Sequence, residues 1–425
     1  MLQLSVLREQ KDLVIEGLTK KHYKNAGTEV ETILQLDAQR RSVMQQHEEV
    51  LQKSNSLAKE IGNLMKSGQR EQAEQLKAQT TDLKQQAKTL GEQVENLDAE
   101  LQNALVKLPN LPHSSVPEGR TPDDNEVVLE NGQIPELAAD ALPHWELIKK
   151  YDIIDFELGN KITGAGFPVY KGKGARLQRA LINFFLDKAA EAGYHEMQPP
   201  ILVNEASGYG TGQLPDKDGQ MYHATADNLY LIPTAEVPIT NLYRDEIIDP
   251  AQLPIKNAGY TPCFRREAGS WGADVRGLNR LHQFDKVEIV QIQTAEKSYE
   301  TLEEMRAHIE GLLQQLELPY RVLRLCGGDM SMTSALTYDM EVYSAAQKRW
   351  LEVSSCSNFE TYQANRLKLR YKKDQTSKPE LLHTLNGSAL ALPRIVAALL
   401  ENNQTADGIK LPKVLHGYCG FEEIK

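Results

Sequence analysis

Arginines and carboxylates concentrate in residues 263–288 of the chain. This stretch starts with Cys-Phe-Arg-Arg-Glu at residues 263–267, carries Arg276 and Arg280, and ends at Glu288. The pattern predicts a strand, a long arginine-bearing loop and a second strand. Guanidinium groups on such a loop can form forked hydrogen bonds with phosphate oxygens, which makes the segment a candidate phosphate site. From these residues alone, a salt-bridged surface hairpin is an equal alternative.

Two further segments carry residues of the same kind. Glu352 and Ser355 lie on one predicted strand, and a carboxylate and a hydroxyl so arranged could hold Mg²⁺, which takes few protein ligands besides substrate phosphates. Residues 385–388 predict a strand and a turn, and the helix predicted over 389–402 contains Arg394. Taken singly, an edge-strand glutamate and a solvated helical arginine are the plainer interpretations.

Common nucleotide and hydrolase motifs are absent from the sequence. There is no GxxxxGK[ST] phosphate loop, no complete GxGxxG, no HExxH and no GxSxG. The four cysteines include no CxxC pair, so the sequence predicts reduced thiols and no structural zinc. Any nucleotide chemistry must therefore depend on arginines and carboxylates carried by a sheet.

The overall composition is that of an ordinary globular protein. The 425 residues are 40% hydrophobic and 25% charged, with a formal net charge of −11. The acidic balance argues against general affinity for nucleic acid but leaves room for a local basic site. No apolar run approaches the ~18 residues of a membrane helix, and charges interrupt the apolar pattern of the N-terminus. We therefore expect a cytoplasmic protein with no membrane contact and no signal peptide.

The elements that must position the candidate residues differ between two parts of the chain. Residues 28–104 lack proline and are rich in Gln, Glu, Lys, Leu and Ala, which favour helix. Apolar and small residues recur there in alternating steps of four and three, the spacing of a left-handed coiled coil. In the later half these are Leu76, Thr80, Leu83, Ala87, Leu90, Val94, Leu97, Leu101 and Ala104. Gly68 lies between two such repeats and can end a helix, so the pattern predicts an antiparallel hairpin roughly 55 Å long.

After the hairpin the chain changes character. Residues 107–143 contain six prolines and predict an extended connector. Beyond it, short β-rich runs and amphipathic helices indicate an α+β fold with an antiparallel sheet that has one covered face. The predicted strands cover residues 229–232, 260–265, 283–293, 321–326, 337–344, 350–356 and 382–385, with helices over 176–191 and 295–316.

Together and in this order, the segments resemble those of bacterial-type seryl-tRNA synthetases, a family of class II aminoacyl-tRNA synthetases. Motif 1 resembles residues 194–203. Motif 2 matches residues 263–288 through FRREAGS and RGLNRLHQFDKVE, and motif 3 matches residues 385–404 through NGSALALPR and LLENNQ. Thr-Ala-Glu at residues 234–236 and the hairpin at 28–104 support the serine-specific family. The resemblance covers essentially the whole chain.

The resemblance implies a domain organisation. Residues 1–106 would form an N-terminal tRNA-binding domain with the long hairpin, and 107–143 the connector. Residues 144–425 would form a class II catalytic domain built on an antiparallel sheet flanked by helices, and the protein would be a homodimer. Residues 28–104 carry nine Lys and Arg against thirteen Asp and Glu. Charge alone would therefore indicate a protein-binding arm, and the tRNA contact follows only from the resemblance.

The resemblance also implies roles for the candidate residues. Arg265 would bind the α-phosphate and the substrate carboxylate, and Arg394, the second catalytic arginine, would lie over adenine or reach the γ-phosphate. Glu267 would accept a hydrogen bond from the adenine amino group, and Phe284 would stack on the ring. The complete ATP-binding set would be Arg265, Arg266, Glu267, Phe284, Glu352, Val353, Ser354, Ser355 and Arg394.

A second set of residues would bind serine. Thr234 and Glu236 would receive its ammonium group, whereas Glu288 and Ser388 would bind its hydroxyl. A buried carboxylate that needs a hydrogen-bond donor rejects alanine, because alanine leaves the carboxylate unpaired. The complete serine-binding set would be Thr234, Ala235, Glu236, Glu288 and Ser388.

The activity implied by the resemblance is that of a serine–tRNA ligase. ATP and L-serine would form seryl-adenylate, and the seryl group would pass to the 3′ end of tRNA(Ser), and of tRNA(Sec) where an organism has one. Glu352 and Ser355 would hold the Mg²⁺ that bridges the ATP phosphates.

Two other functions remain open from the sequence. A paralogue that loads an amino acid onto a carrier protein would lack the long hairpin, which this chain has. A catalytically inactive, synthetase-like regulatory or binding protein would be expected to have lost the residues on which catalysis depends. Arg265, Glu267, Glu352 and Arg394 are all present.

The chain departs from the family pattern at a few positions. Ala389 and Pro393 stand in motif 3 where the family often has glycine, and Pro393 removes an N–H just before Arg394. Trp271 and Ala273 stand in the motif 2 loop, where smaller or basic residues are common.

Overall fold

The computed structural model describes residues 1–216, 219–267 and 276–425. Contacts between Cα atoms divide the chain into two units, Met1–Pro109 and Asn110–Lys425. Within the described residues, every helix is too short or too polar to cross a membrane. Trp271 and Ala273 lie outside the described residues.

The first unit consists of two short helices and a long helical hairpin. Gly68, with a φ of +79°, adopts the predicted left-handed conformation just after the first long helix. The two long helices contain 41 and 36 residues and pack along each other, which confirms the hairpin. The helices are α1 (Leu4–Glu9), α2 (Lys11–Lys20), α3 (Ala26–Lys66) and α4 (Arg70–Leu105).

The seam between α3 and α4 is made from the predicted repeats. Val50, Ala87 and Leu90 are buried there, and Val43 and Leu83 are partly buried beside them. Most other residues of the two helices are exposed along this part of the hairpin. The outer hairpin therefore depends on a narrow apolar stripe and on helix propensity.

The base of the hairpin is different, because it shares a small core with α1 and α2. Val30 and Ile33 of α3 are fully buried. The buried carboxylate of Asp37 forms ion pairs with two arginines, at 3.0 Å from Nε of Arg8 and 3.1 Å from Nε of Arg41. These contacts tie α1 to α3, so the base belongs to a packed helical cluster.

The second unit combines a large sheet, several small sheets and short helices. Its strands are β1 (Glu126–Asn131), β2 (Ile154–Asp155), β3 (Val169–Tyr170), β4 (His195–Glu196), β5 (Leu202–Val203), β6 (His223–Ala224), β7 (Leu229–Leu231), β8 (Ile247–Ile248), β9 (Ile255–Phe264), β10 (Gln283–Gln293), β11 (Tyr320–Arg324), β12 (Leu336–Ser344), β13 (Arg349–Asn358), β14 (Arg370–Tyr371), β15 (Glu380–Leu381), β16 (His383–Ala391), β17 (Ile409–Lys410) and β18 (Glu423–Ile424). Its helices are α5 (His144–Lys150), α6 (Phe156–Ile162), α7 (Gly172–Glu191), α8 (Glu205–Thr211), α9 (Glu236–Asn241), α10 (Ser298–Gln315), α11 (Thr361–Leu367), α12 (Leu392–Asn402) and α13 (His416–Cys419).

The large sheet has eight strands in the order β1-β11-β12-β13-β16-β10-β9-β4. Neighbouring strands pair antiparallel, except that β4 pairs parallel with β9. This arrangement confirms the predicted α+β class and the antiparallel sheet. In the centre, Glu288 of β10 lies opposite Ser388 of β16 on one side and Gly259 of β9 on the other.

Helices α7, α10 and α12 pack against this sheet. The amphipathic spacing of α7 explains its position: Leu177, Leu181, Phe184 and Phe185 fall on one face and are fully buried. The helix starts at Gly172, four residues before the predicted start at 176. Helix ends carry weaker sequence signals than helix centres, so a shift of this size is ordinary.

One predicted turn is wrong. The sequence indicated a turn within residues 385–388, but β16 runs from His383 to Ala391 and α12 begins at Leu392. β16 pairs with both β10 and β13, so sheet pairing overrides the local turn preference of Asn-Gly. A Cβ on Gly387 would lie 3.0 Å from Ile309 Cδ1, so close packing accounts for the glycine. Pro393 lies in the first turn of α12, where a missing N–H leaves no bond unmade.

The proline-rich segment contains a strand that the sequence analysis missed. β1 lies within residues 107–143 and forms the outer strand of the large sheet, antiparallel to β11. Its residues are exposed or half-buried, so it has no clean alternation of apolar and polar side chains. An edge strand of this kind gives little periodic signal, and the flanking prolines conceal it.

Candidate active site

A cleft of about 660 Å³ opens over the middle of the large sheet. Its walls come from β10, β13 and β16, from the start of α12, and from segments around Thr234 and Arg265. The predicted site residues that line it are Thr234, Glu236, Arg265, Glu267, Phe284, Glu288, Glu352, Val353, Ser354, Ser355, Ser388 and Arg394. Residues from five separate parts of the sequence therefore meet in one cleft.

Two predicted members of the site do not line the cleft. Ala235 is fully buried and packs with Ile239 in a small apolar cluster. Arg266 points its Nε to the carbonyl oxygen of Met221 at 3.1 Å, and its Cζ lies 5.0 Å from the ring centroid of Tyr222. In this structure Arg266 therefore supports Met221, which lines the cleft.

Glu288 is the most enclosed carboxylate of the cleft, with 1% of its surface exposed. Its Oε2 lies 2.6 Å from Nζ of Lys286 and accepts a hydrogen bond from Oγ1 of Thr234 at 3.2 Å. Nδ2 of Asn386 donates to Oε1 at 3.1 Å, and Oγ of Ser388 lies 3.5 Å from Oε2, at the long limit for a hydrogen bond. Glu288 is thus paired with one cation and still lines the cleft.

Glu236 begins α9 and lies buried beside this group. Nε2 of Gln363 donates to its Oε1 at 2.6 Å, and Oγ1 of Thr384 fixes the same amide by donating to its Oε1 at 2.6 Å. Burial first, and then the charge of Glu288, raise the pKa of Glu236 to about 7, although Gln363 and Lys286 act in the opposite direction. Near neutrality this carboxyl can therefore lose its proton to bind a cation.

Arg265 follows the end of β9 at the other end of the cleft. Its backbone N–H donates to the carbonyl of His282 at 2.9 Å, which fixes the residue against the start of β10. Nε lies 3.4 Å from the carbonyl oxygen of Pro233, and Cζ lies 5.2 Å from the ring centroid of Phe284. The guanidinium and the aromatic ring thus form one wall, suited to phosphate and to a flat aromatic base.

Arg394 lies in the first turn of α12 and also lines the cleft. Its Nε donates to the carbonyl oxygen of Asn279 at 3.0 Å, and Nη1 donates to the carbonyl oxygen of Glu352 at 2.6 Å. The carboxylate of Glu352 lies 3.6 Å from Nη1. Backbone carbonyls from two separate segments therefore set the orientation of this arginine.

Glu267 shows backbone strain at the rim of the cleft. Its φ is +49°, a left-handed conformation that side chains with a Cβ adopt at a cost. Its Oε2 accepts a hydrogen bond from Nη1 of Arg280 at 2.8 Å. Strain of this kind tends to occur at functional sites, where it directs a particular side chain.

The residues beside Glu352 fit a divalent cation. Oγ of Ser355 donates to Oε1 of Glu352 at 3.3 Å, and Asp339 lies opposite Ser355 in the sheet register. Oδ1 of Asp339 is buried and has no hydrogen-bond partner among the described residues. Burial, followed by the nearby charge of Glu352, raises the pKa of Asp339 well above its ordinary value. A cation beside these oxygens would offset the crowding of negative charge, and this donor set is of the oxygen type that Mg²⁺ prefers.

Sequence reasoning missed several polar residues of the cleft. Lys286 and Glu288 are two apart on one strand, so period-two alternation could have placed both on the same face. Asn386 was assigned to a turn and so was not considered as a partner of Glu288. Gln363 comes from α11, far from Glu236 in sequence, and no local pattern points to it.

Comparisons with known families agree with this geometry. Residues 1–112 match the family described as "Seryl-tRNA synthetase N-terminal domain". Residues 221–403 match "tRNA synthetase class II core domain (G, H, P, S and T)". The two matched regions cover the helical unit and the central strands of the cleft.

Several known proteins are similar to this chain over its whole length. The serine–tRNA ligase of Salinibacter ruber is 52% identical over 100% of this chain and 99% of its own length. That of Chlorobaculum parvum is 47% identical over 100% of both chains. The crystal structure of seryl-tRNA synthetase from Pyrococcus horikoshii complexed with ATP superposes with a TM-score of 0.93 at 33% identity, covering 100% of this chain and 99% of that one.

The antiparallel sheet, the arginine-walled cleft and the matched core domain define a class II aminoacyl-tRNA synthetase. The identity over the full length and the match of the N-terminal domain then identify the family within this class. The chain belongs to the seryl-tRNA synthetase family.

Proposed function

We propose that the chain is a serine–tRNA ligase, which activates L-serine with ATP and transfers the seryl group to tRNA(Ser). One observation carries the proposal. A single cleft combines the buried carboxylates of Glu236 and Glu288 at one end with the arginines Arg265 and Arg394 at the other. The proposal is supported by the similar proteins described above, which are named serine–tRNA ligases.

The charges at the buried end explain how serine would be chosen. Glu236 and Glu288 together carry two negative charges when ionised, and Lys286 supplies one positive charge. The ammonium group of an amino acid would supply the second. The serine hydroxyl would donate to Glu288 near Ser388. Alanine would make no such bond, and a hydrogen bond to a charged group contributes roughly 1.5–3 kcal/mol beyond the bonds that Glu288 already accepts.

Activation would join the two ends of the cleft. A carboxylate oxygen of serine would attack the α-phosphorus of ATP, and the bond to the bridging oxygen would break as its electron pair leaves with pyrophosphate. Arg265 would bind both the carboxylate and the α-phosphate, where negative charge develops. Arg394 and the ring of Phe284 would hold the nucleotide on opposite sides. Positioning and charge stabilisation would supply most of the rate enhancement.

Glu352 and Ser355 would hold the Mg²⁺ that accompanies ATP, with Asp339 behind them. When bound, this ion neutralises charge on phosphate oxygens. The side chain of Glu352 is about half exposed, so its carboxylate remains accessible to a nucleotide.

The transfer step would use the same cleft. A ribose hydroxyl at the 3′ end of tRNA would attack the carbonyl carbon of the mixed anhydride, and AMP would leave with the electron pair of the broken bond. Residues 1–106 would form the tRNA-binding domain and residues 144–425 the catalytic domain. The protein would act as a cytoplasmic homodimer and would also serylate tRNA(Sec) where the cell has one.

ATP–pyrophosphate exchange with each of the twenty amino acids tests this function. We expect strong exchange with serine alone, because alanine lacks the hydroxyl that would donate to Glu288. Threonine offers the same hydroxyl and must be rejected by its extra methyl group in the enclosed end of the cleft. Equal exchange with alanine or threonine would refute the serine assignment, and no exchange with any amino acid would favour the inactive, synthetase-like alternative.

A pH dependence follows from the raised pKa of Glu236. Below about pH 7 the free protein keeps a proton on Glu236, so binding of the serine ammonium must expel it. We therefore expect kcat/KM for serine to decrease by about tenfold for each pH unit below neutrality. Above neutrality it should become independent of pH. Exchange rates measured at limiting serine and saturating ATP across this range provide the profile.

Glu236→Gln is the matched variant for this profile. The amide preserves size but does not titrate, so the inflection near neutrality should disappear while kcat/KM for serine falls at every pH. The KM for ATP should show no matching inflection in the unaltered protein. An inflection that persists in Glu236→Gln would assign the titration to another group.

A further inference from the structure

A buried histidine lies behind the ATP end of the cleft, outside its lining. His144 begins α5 and is fully buried together with Glu401 of α12. Nδ1 of His144 lies 2.6 Å from Oε1 of Glu401, and the backbone N–H of His144 donates to the same oxygen at 2.9 Å. The backbone N–H of Leu278 donates to Nε2 of His144 at 2.8 Å.

These contacts determine the tautomer of His144. A backbone N–H can only donate, so Nε2 must be the accepting nitrogen. The ring proton therefore lies on Nδ1 and is donated to Glu401. Gln347 Nε2 lies 3.4 Å from Nδ1 but donates to Oε1 of Glu401 at 3.0 Å. Oγ of Ser344 donates to the other oxygen of Glu401, so the carboxylate is fully hydrogen-bonded.

The charge state of Glu401 supports this assignment. Burial alone would raise the pKa of Glu401, but the hydrogen bonds from His144 and Ser344 outweigh it and lower the pKa below its ordinary value. An ionised carboxylate is a strong acceptor for the Nδ1 proton. The imidazole is thus locked in the one orientation that presents Nε2 to Leu278.

The histidine is connected to Arg394 of α12 through two adjacent residues, Leu278 and Asn279. Leu278 lies next to Asn279, whose carbonyl accepts the hydrogen bond from Nε of Arg394. The side chain of Asn279 is also tied to the cluster, because its Nδ2 donates to Oε1 of Gln347 at 2.9 Å. Two successive residues of this segment are therefore bonded to the buried cluster, and one of them holds Arg394.

The backbone of the same segment is fitted closely to the imidazole. Gly277 has a φ of +65°, and a Cβ at this position would lie 2.3 Å from Nε2 of His144. Both the left-handed conformation and the close approach require glycine here. The contact leaves no space for the segment to move toward α5.

We propose that His144, locked in the Nδ1–H tautomer by Glu401, is a positioning residue that fixes residues 276–280 so that the carbonyl of Asn279 holds Arg394 ready for ATP. The inference rests on the proposed function for the role of Arg394. It assigns to His144 no contact with substrate. Its effect should therefore be confined to the ATP end of the cleft, since the serine end is built from Thr234, Glu236 and Glu288.

Two substitutions at His144 separate its two hydrogen bonds. In His144→Asn the side-chain amide can reach the position of Nδ1 but not that of Nε2, so the bond to Leu278 is lost. In His144→Gln the amide oxygen can reach the position of Nε2 and accept from Leu278. We expect the Kd for ATP, measured by calorimetry without serine, to rise roughly tenfold in His144→Asn. His144→Gln should retain affinity within about threefold of the unaltered protein.

Gly277→Ala provides a second route that substitutes no side chain of the buried cluster. The added methyl group would push the segment away from Nε2, so the Kd for ATP should again rise roughly tenfold while the KM for serine stays within about twofold. This variant keeps the test decisive if His144→Asn does not fold. His383→Asn is the control, because His383 is also buried but bonds to Ser298, away from residues 276–280.

The outcomes separate positioning from general stability. Selective loss of ATP affinity in His144→Asn and Gly277→Ala, with recovery in His144→Gln, is the expected result. Unchanged ATP affinity in both, or a parallel loss of ATP and serine binding with equal lowering of Tm, would overturn the proposal. If the unaltered protein binds ATP but shows no serine-dependent exchange, the proposed function fails while the ATP measurements still decide the role of His144. Absence of ATP binding by the unaltered protein would refute both.

Discussion

Replacing Arg265 by alanine is expected to lower kcat/KM for serine-dependent ATP–pyrophosphate exchange by roughly two to three powers of ten. The guanidinium lines the cleft beside Phe284, and we propose that the carboxylate of serine and the α-phosphate meet there. A donor fixed there stabilises charge that develops only in the transition state, so most of the loss should appear in kcat. Steady-state exchange at varied serine and ATP measures both parameters.

Arg266→Ala is the natural comparison, because it removes the same side chain one residue away. Arg266 does not line the cleft itself and is bound to the carbonyl of Met221, which does, so its loss should lower exchange by no more than about tenfold. Both variants should keep the Tm of the unaltered protein to within a few degrees. A folded Arg265→Ala protein with full activity would remove Arg265 from the mechanism, and a larger loss in Arg266→Ala would return that residue to the ATP site.

The sequence located elements whose ends are marked locally. β10 was predicted over residues 283–293 and has those bounds, because its β-rich run lies between the arginine-bearing loop and the residues that lead into α10, although residues 286–293 are buried on both faces. The hairpin could be predicted equally well, because its apolar repeats lie close together in the sequence. β16 was shortened at residue 385 because an Asn-Gly pair resembles a turn unless the strands on both sides are known. The turn preference of the Asn-Gly pair is therefore overridden by the pairing of β16 with two neighbouring strands.

The residues of the candidate site also differ in how far the sequence could predict them. Residues that belong to recognisable motifs, such as Arg265, Glu288 and Arg394, could be selected from the sequence before their geometry was known. Their supporting partners could not. Glu401 and His144 are 257 residues apart, and Gln363 reaches Glu236 across 127 residues. Hydrogen bonds between such distant residues depend on sheet order and helix docking, which no local pattern contains.

The helical hairpin supplies the last prediction, which separates activation from transfer. Val30, Ile33 and Asp37 belong to the core shared with α1 and α2, so a deletion must spare the base of the hairpin. Removing residues 44–94 and joining the ends with a short Gly-Ser linker retains the ion pair between Arg40 and Asp98. Antiparallel helices tolerate such short connections, so the shortened unit should fold.

We expect the shortened protein to keep serine-dependent exchange within about threefold, because no residue of the cleft belongs to the deleted segment. Serine transfer to tRNA should fall by at least about a hundredfold in kcat/KM, equivalent to roughly 2.7 kcal/mol of lost tRNA binding. Aminoacylation at varied tRNA concentration measures this loss and should assign it to KM more than to kcat. Because the hairpin is acidic overall, tRNA binding by the full chain should depend only weakly on salt, since the slope follows the number of phosphates neutralised. Full charging of tRNA(Ser) by the shortened protein would show that the hairpin is not the tRNA-binding element, whereas lost exchange in a folded protein would make the hairpin part of the catalytic unit.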